Sequence, residues 1–256
     1  MKQRDIAIIS PDINRSMKDF VVTKEGLLFP LSAIKGINEL LVNAILEERN
    51  EGEFKDFFDF VSRMYMHKIN ESQIIKLIDA GCFDTFNPSR ASFRASVKSA
   101  LQYAELSFKD NGQLNIGISA LIQPYLIEDY DDPLENLDKE YDVLGIMLSN
   151  NPLHYKTDIL VAKNVSPIVQ AREEYSAKVA GLVRSVKTIT TKKGSTMAFV
   201  KLVDETGEIE LTLFPETYVE GLPLLEKNNL VIANIKREKR EDNYDFIASK
   251  IEPLEE

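Results

Sequence analysis

The run Ala33-Ile34-Lys35-Gly36-Ile37-Asn38 sets a lysine and a glycine at the entrance of a helix, an arrangement suited to holding a phosphate. Glycine lets the backbone approach the anion closely, and the free N–H groups at the start of the next helix donate to it with the helix dipole behind them. This is the form of a helix-hairpin-helix turn. The usual turn has glycine at both ends of Gly-hydrophobic-Gly, and Asn38 stands in the second place here. Lys35, Gly36, Ile37 and Asn38 are therefore candidate contacts to a DNA duplex, with an ordinary helix-helix turn as the alternative. A second turn, Asp79-Ala80-Gly81-Cys82-Phe83, precedes a helix carrying Arg90, Arg94 and Lys98. Gly81 and Arg90 join the duplex-binding candidates, with simple packing as their alternative.

Basic residues gather at two later places: Arg184, Lys187, Lys192 and Lys193, then Lys236, Arg237, Lys239 and Arg240. Phe199, Phe214, Tyr244 and Phe246 stand nearby and offer faces on which unpaired bases can stack. Aromatics alternating along strands more often fill a barrel, and lysines at hairpin tips are often only solvated. Asp129, Asp131 and Asp132 are close enough to raise a metal site, but a proline-interrupted acidic run reads as solvated surface. One cysteine, Cys82, and two separated histidines, His67 and His154, allow neither an internal disulfide nor zinc-ligand spacing. No metal or cofactor is expected, and a reducing cytoplasm is the expected compartment.

These groups need elements to position them. At 256 residues and 44% hydrophobic, the chain has material for two ordinary domains. No apolar run approaches the roughly 18 residues of a membrane span, so no membrane partner is expected. The net charge of −10 argues against a nucleic acid partner when taken alone. The charge is unevenly spread: residues 1–110 hold 15 basic against 16 acidic, 111–174 hold 4 against 11, and 175–256 hold 12 against 14. The flanks are near neutral, and local basic clusters there can face a polyanion.

Residues 1–30 read as extended pieces. From Ser32 the apolar period becomes helical, with helices expected to Gly52, around Phe54 to Met64, over Glu71 to Asp79 and over Ser89 to Leu106. This makes an all-α domain over 31–110. Residues 111–174, broken by prolines and holding EDYDDPLENLDKEYD, read as an acidic linker with one short helix. From Tyr175 the period becomes two, giving five strands with a helical insert near Tyr218 to Leu225 after the third, which is the order of an OB-fold over 175–256. The expected fold class is α+β multidomain: an all-α helix-hairpin-helix domain, then an all-β five-stranded OB-fold barrel.

The runs PDINRSMKDF, LSAIKGI, ILEERNEGEFKDFFDFVSR and LIDAGCFD, with Pro88-Ser89-Arg90 and the stretch Glu140 to Tyr155, resemble in order and spacing the region after the fingers of the DnaE-type alpha subunit of bacterial DNA polymerase III. The resemblance covers nearly the whole chain. It implies that residues 1–30 are a remnant of the fingers region and that the metal-binding aspartates of nucleotidyl transfer lie upstream, so no catalysis is expected here. It also implies a sliding-clamp-binding pentapeptide where Gln113-Leu114-Asn115-Ile116-Gly117 stands, with Gln113, Leu114, Asn115 and Ile116 as its residues. The expected partners are duplex DNA on the hairpins, single-stranded DNA on the OB-fold, the sliding clamp and other replisome subunits. The alternative is a protein-interaction platform that binds little nucleic acid. A third reading, an anticodon-binding module of a tRNA enzyme, sits poorly with an upstream helix-hairpin-helix.

Overall fold

The computed structural model describes residues 7–87, 89–107, 123–149, 153, 156–192, 194–240 and 243–254. The chain forms two compact units that divide between Ser149 and Asn150. No helix among the described residues is long and apolar enough to cross a membrane.

The first unit opens with three two-residue strands, β1 (Ile8–Ile9), β2 (Val21–Val22) and β3 (Leu27–Leu28), in the order β1-β3-β2. One 3-10 turn at Leu31–Ala33 leads into α1 (Glu39–Asn50), α2 (Phe57–Tyr65), α3 (Glu71–Asp79), α4 (Arg90–Ser107) and α5 (Pro133–Leu144). Three of these helices begin where a short polar side chain can take a first-turn N–H: Asn38, Asp56 and Asn70 each accept from the residue three positions on. Their apolar faces meet around Phe57, Phe60, Phe83 and Phe93, all fully buried. The rings stand edge-to-face or tilted, with centroids 5.0 to 5.8 Å apart.

Residues expected as an upstream remnant are built into this unit from Ile8 onward. Ile13 is fully buried and donates its N–H to the Cys82 carbonyl at 2.9 Å. The Asn14 amide donates to the Phe54 carbonyl and accepts the Phe54 N–H, both at 2.9 Å.

The acidic stretch expected as a linker is also folded where it is described. Asp131 accepts the N–H groups of Arg90 and Ala91 at 3.1 and 2.7 Å, capping α4 from a distance of some 40 residues in sequence, and Asp132 caps α5. Glu140 of α5 is completely buried and accepts from the Arg90 guanidinium at 2.8 Å, from Leu148 and Ser149 N–H at 2.5 and 2.8 Å, and from the Ser149 hydroxyl at 2.6 Å. A carboxylate with that many donors does not need water. Two of its carboxylates thus serve the helical unit directly: Glu140 meets the buried Arg90, and Asp131 caps α4.

The second unit is a closed barrel of β4 (Ser176–Thr190), β5 (Thr196–Val203), β6 (Glu208–Leu213), β7 (Leu230–Arg240) and β8 (Asn243–Pro253), in the order β4-β5-β6-β8-β7. The long β4 pairs with β7 through its first half and with β5 through its second, and a short parallel pairing of β6 with β8 closes the cylinder. Period-two alternation turns small aliphatics inward, among them Val179, Val200, Leu211 and Ala233, all fully buried. Between β6 and β7 runs α8 (Pro215–Gly221). Ahead of the strands come α6 (Thr157–Ala162) and α7 (Ile168–Ala171). Ile168 and Ala171 are fully buried in the barrel core, and Ile168 N–H donates to Asp204 at 2.7 Å. The far end of the expected linker thus belongs to the barrel.

Substituting Glu140 with glutamine leaves the buried Arg90 with Asp84 as its one remaining carboxylate and turns an acceptor into a donor facing N–H groups, so stability should fall by about 3 kcal/mol in urea denaturation. Replacing both with apolar residues, Arg90→Met with Glu140→Leu, should not recover that loss, because Asp84 and the N–H groups of Leu148 and Ser149 then lose their partners.

Candidate nucleic-acid interface

At the first hairpin the backbone turns through Gly36, whose φ is +83°, and enters α1 through the Asn38 cap. Ile37 is buried and anchors the turn, while Lys35, Gly36 and Asn38 face outward. Lys35 N–H donates to the Val143 carbonyl at 2.9 Å, which fixes the turn against the end of α5. A second cation lies on the turn. A Cβ built on Gly36 would fall 2.0 Å from Nζ of Lys76, a half-buried residue of α3. Nothing in the sequence spacing points to Lys76, since only the packing of α3 brings it there. Glu39, in the first turn of α1, is engaged by Lys18.

The second hairpin has the same backbone form and a different use. Gly81 has φ +85° and is buried, and a Cβ there would meet the Arg90 guanidinium at 2.5 Å. Arg90 is 3% exposed and donates to Asp84, to Glu140 and to the Asp79 carbonyl. Burial alone would lower its pKa, but the hydrogen bonds and charges of Asp84 and Glu140 hold it above the usual arginine value. Burial in turn pushes the Asp84 carboxyl upward against the pull of Arg90. Arg94 is likewise taken up by Asp79 and Asn136, at 2.8 and 2.6 Å. Gly81 and Arg90 are therefore corrected from duplex contacts to interior residues: the glycine makes room for a guanidinium that no phosphate can reach.

On the barrel, a cleft of about 430 Å³ is lined by Arg172 and Glu173 after α7, by Phe199, Glu210 and Thr212 on β5 and β6, and by Arg237, Tyr244, Asp245 and Phe246 on the β7-β8 hairpin. Lys187, Phe199 and Thr212 stand in one row across β4, β5 and β6, so they share an outer face. The Arg237 guanidinium lies 4.5 Å over the Tyr244 ring and donates to the Arg172 carbonyl at 2.8 Å. The barrel core is mainly aliphatic: Phe199 and Tyr244 line the cleft, whereas Phe246, in register with inward Leu211, packs against that core as well as lining the cleft.

The pleat divides the basic residues of β7. Arg237 and Lys239 pair with Phe246 and Tyr244 on one face, whereas Lys236 and Arg240 pair with Ile247 and Asn243 on the other. Arg240 also bridges to Asp245 at 3.3 Å, and Lys236 approaches the Tyr175 ring at 5.2 Å. Lys187 and Lys192 are exposed, while Arg184 is half-buried, its pKa lowered by burial against the opposing charge of Glu208. Lys193 and the candidate clamp residues Gln113, Leu114, Asn115 and Ile116 lie outside the described residues.

Residues 5–93 match the family model of the helix-hairpin-helix motif, and residues 177–254 match that of the OB-fold nucleic acid binding domain. The chain is 35% identical to the DNA polymerase III subunit alpha of Bacillus subtilis over 100% of its own length and 23% of that protein. With the subunit of Vibrio cholerae the identity is 31% over 91% of this chain and 21% of the relative. The chain therefore spans less than a quarter of the length of these relatives. Among solved structures, a mitochondrial single-stranded DNA binding protein from S. cerevisiae aligns over 31% of this chain and 93% of its own at 14% identity, with a TM-score of 0.27.

The two glycine turns should respond differently to alanine. Gly36→Ala incurs the left-handed backbone penalty, about 1–2 kcal/mol, and can push aside only the end of a lysine side chain. Gly81→Ala adds the displacement of a buried, fully engaged guanidinium, so thermal unfolding should show the larger loss at Gly81.

Proposed function

We propose that this chain, which matches the helix-hairpin-helix and OB-fold region of bacterial DNA polymerase III alpha subunits along its length, is a non-catalytic DNA-handling region of such a polymerase. In this reading unpaired DNA lies in the outer cleft of the barrel, and the backbone of a duplex meets the turn from Lys35 to Asn38. Nucleotidyl transfer belongs to the rest of the parent polymerase.

The observation that carries the proposal is the cleft: Phe199, Tyr244 and Phe246 line a groove together with Arg237, whose guanidinium is already held over a ring. Stacking suits single strands of any sequence, because every base has a π-face. Lys187, in register with Phe199, and Lys239, in register with Tyr244, make no ion pair among the described residues and are available to phosphates. Lys192 extends this set in the β4-β5 turn. At the hairpin, Lys35 and Lys76 flank the exposed glycine turn, which supports a contact to duplex phosphates.

The second reading, a platform for replisome proteins, draws on the carboxylates of Glu173, Glu210 and Asp245 in the cleft and on the net charge of −10. Clamp docking through Gln113, Leu114, Asn115 and Ile116 belongs to either reading. A peptide spanning residues 111–120 should compete with the intact chain for the clamp's hydrophobic pocket, and absence of clamp binding at high micromolar concentration would remove that function.

The cleft is tested by single-strand titration at two salt concentrations, with a primed template and nucleotides present in a parallel reaction that should yield no extension. Phe199→Ala and Phe246→Ala should each cost about 1–3 kcal/mol of affinity. Replacing Lys187, Lys192 and Lys239 with alanine should flatten the slope of log affinity against log salt by about 2, at roughly 0.7 per phosphate contact. Arg240→Ala, whose guanidinium is already bridged to Asp245, should change the slope far less than that triple replacement. Equal losses from both would remove the cleft as the binding face.

A further inference from the structure

The cleft holds three carboxylates among its rings and guanidinium groups, and they are not equivalent. Asp245 lies 3.3 Å from the Arg240 guanidinium, and Glu173 lies 3.9 Å from that of Arg237. Glu210 has the cation Lys201 directly opposite it in the β5-β6 register, yet the Lys201 ammonium donates instead to Glu208 at 2.9 Å. Glu210 is thereby left exposed in the cleft, with no ion pair among the described residues, on the same lining as Phe199 and Thr212.

An open carboxylate in a groove for a polyanion would be a defect if phosphates had to pass over it. It is useful if the uncharged base enters and the phosphate stays outside. An ionised carboxylate can only accept hydrogen bonds, and those it accepts are the stronger, charge-assisted kind. Guanine presents N1–H and N2–H side by side on its Watson-Crick edge, matching the two oxygens of one carboxylate. Cytosine and adenine each present an amino group. Thymine presents a single N3–H between two carbonyl oxygens, which a carboxylate repels.

We infer that the barrel cleft selects among unpaired bases by their amino groups, with Glu210 as the reading residue, so that it takes guanine most tightly and thymine least. This rests on the reading of the cleft as a site for unpaired DNA. A base stacked on Phe199 offers its edge to Glu210, while Lys187, in register beside Phe199, stands where the phosphate can remain in solvent. The glutamate fixes which part of the nucleotide turns inward as well as which base is preferred.

The test uses the whole chain and labelled thymidylate 12-mers, one unmodified and others with isolated central positions changed to guanine, cytosine or adenine. The guanine-bearing strand should bind about five- to tenfold more tightly than the unmodified one. Glu210→Ala should erase the difference while leaving the fold intact, since the residue is exposed. Glu210→Gln, which can donate to a carbonyl, should improve thymidylate binding. If wild type binds all four strands equally, or prefers thymidylate, base selection by Glu210 is overturned while the single-strand reading stands. If the preference survives in Glu210→Ala, another residue reads the base and this assignment fails. If no strand binds, the single-strand reading itself is lost.

Discussion

One buried positive charge organises the first unit. The Arg90 guanidinium, 3% exposed, cannot be hydrated, and in a low-dielectric interior it requires both counter-charge and a partner for each donor. Asp84 meets it from the turn after α3, the Asp79 carbonyl from the end of α3, and Glu140 from α5, 50 residues further on. The arginine therefore decides where the acidic segment goes. Glu140 carries the constraint onward by accepting the N–H groups of Leu148 and Ser149, so the same charge organises the last residues of the unit before the boundary at Asn150.

Local periodicity made most of the elements legible in the sequence. The α3 limits were readable because Asn70 caps it and Gly81 follows its end, and the five strands because aliphatics alternate without interruption. The chain's likeness to polymerase III alpha subunits was legible in particular motifs, such as the Gly36 turn and the run around Gly81. The acidic stretch was misjudged because net charge per segment counts Asp131 and Glu140 as solvated. Whether a carboxylate faces water or a buried guanidinium depends on a partner tens of residues away. Arg90 was misjudged for the same reason in reverse, since a glycine turn followed by an arginine looks the same whether the arginine points out or in.

The cleft was legible in composition and not in geometry. The basic residues of β7 form one cluster in the sequence, and the pleat sends Arg237 and Lys239 to one side and Lys236 and Arg240 to the other. The aromatics could not be assigned to a face because β5 carries Phe199 between Ala198 and Val200, and only the burial of those two neighbours makes the phenylalanine an outward residue. Lys76 had no sequence signal at all. It belongs to a helix whose spacing is accounted for by its core residues, and it reaches Gly36 by tertiary packing alone.

The pairing that closes the barrel sets an order of events for a chain made from its amino terminus. Ser176 must find Lys236 and Val231 must find Pro253, so the cylinder cannot form until β8 has been synthesised. The helical unit depends on partners that are all present by Ser149. Non-local strand pairing is slower than local helix packing, and a sheet waiting for its last strand exposes an unpaired edge. During synthesis the chain therefore passes through a stage in which the barrel's sheet is still open, and in that interval its unpaired edge is most open to misassociation with other chains.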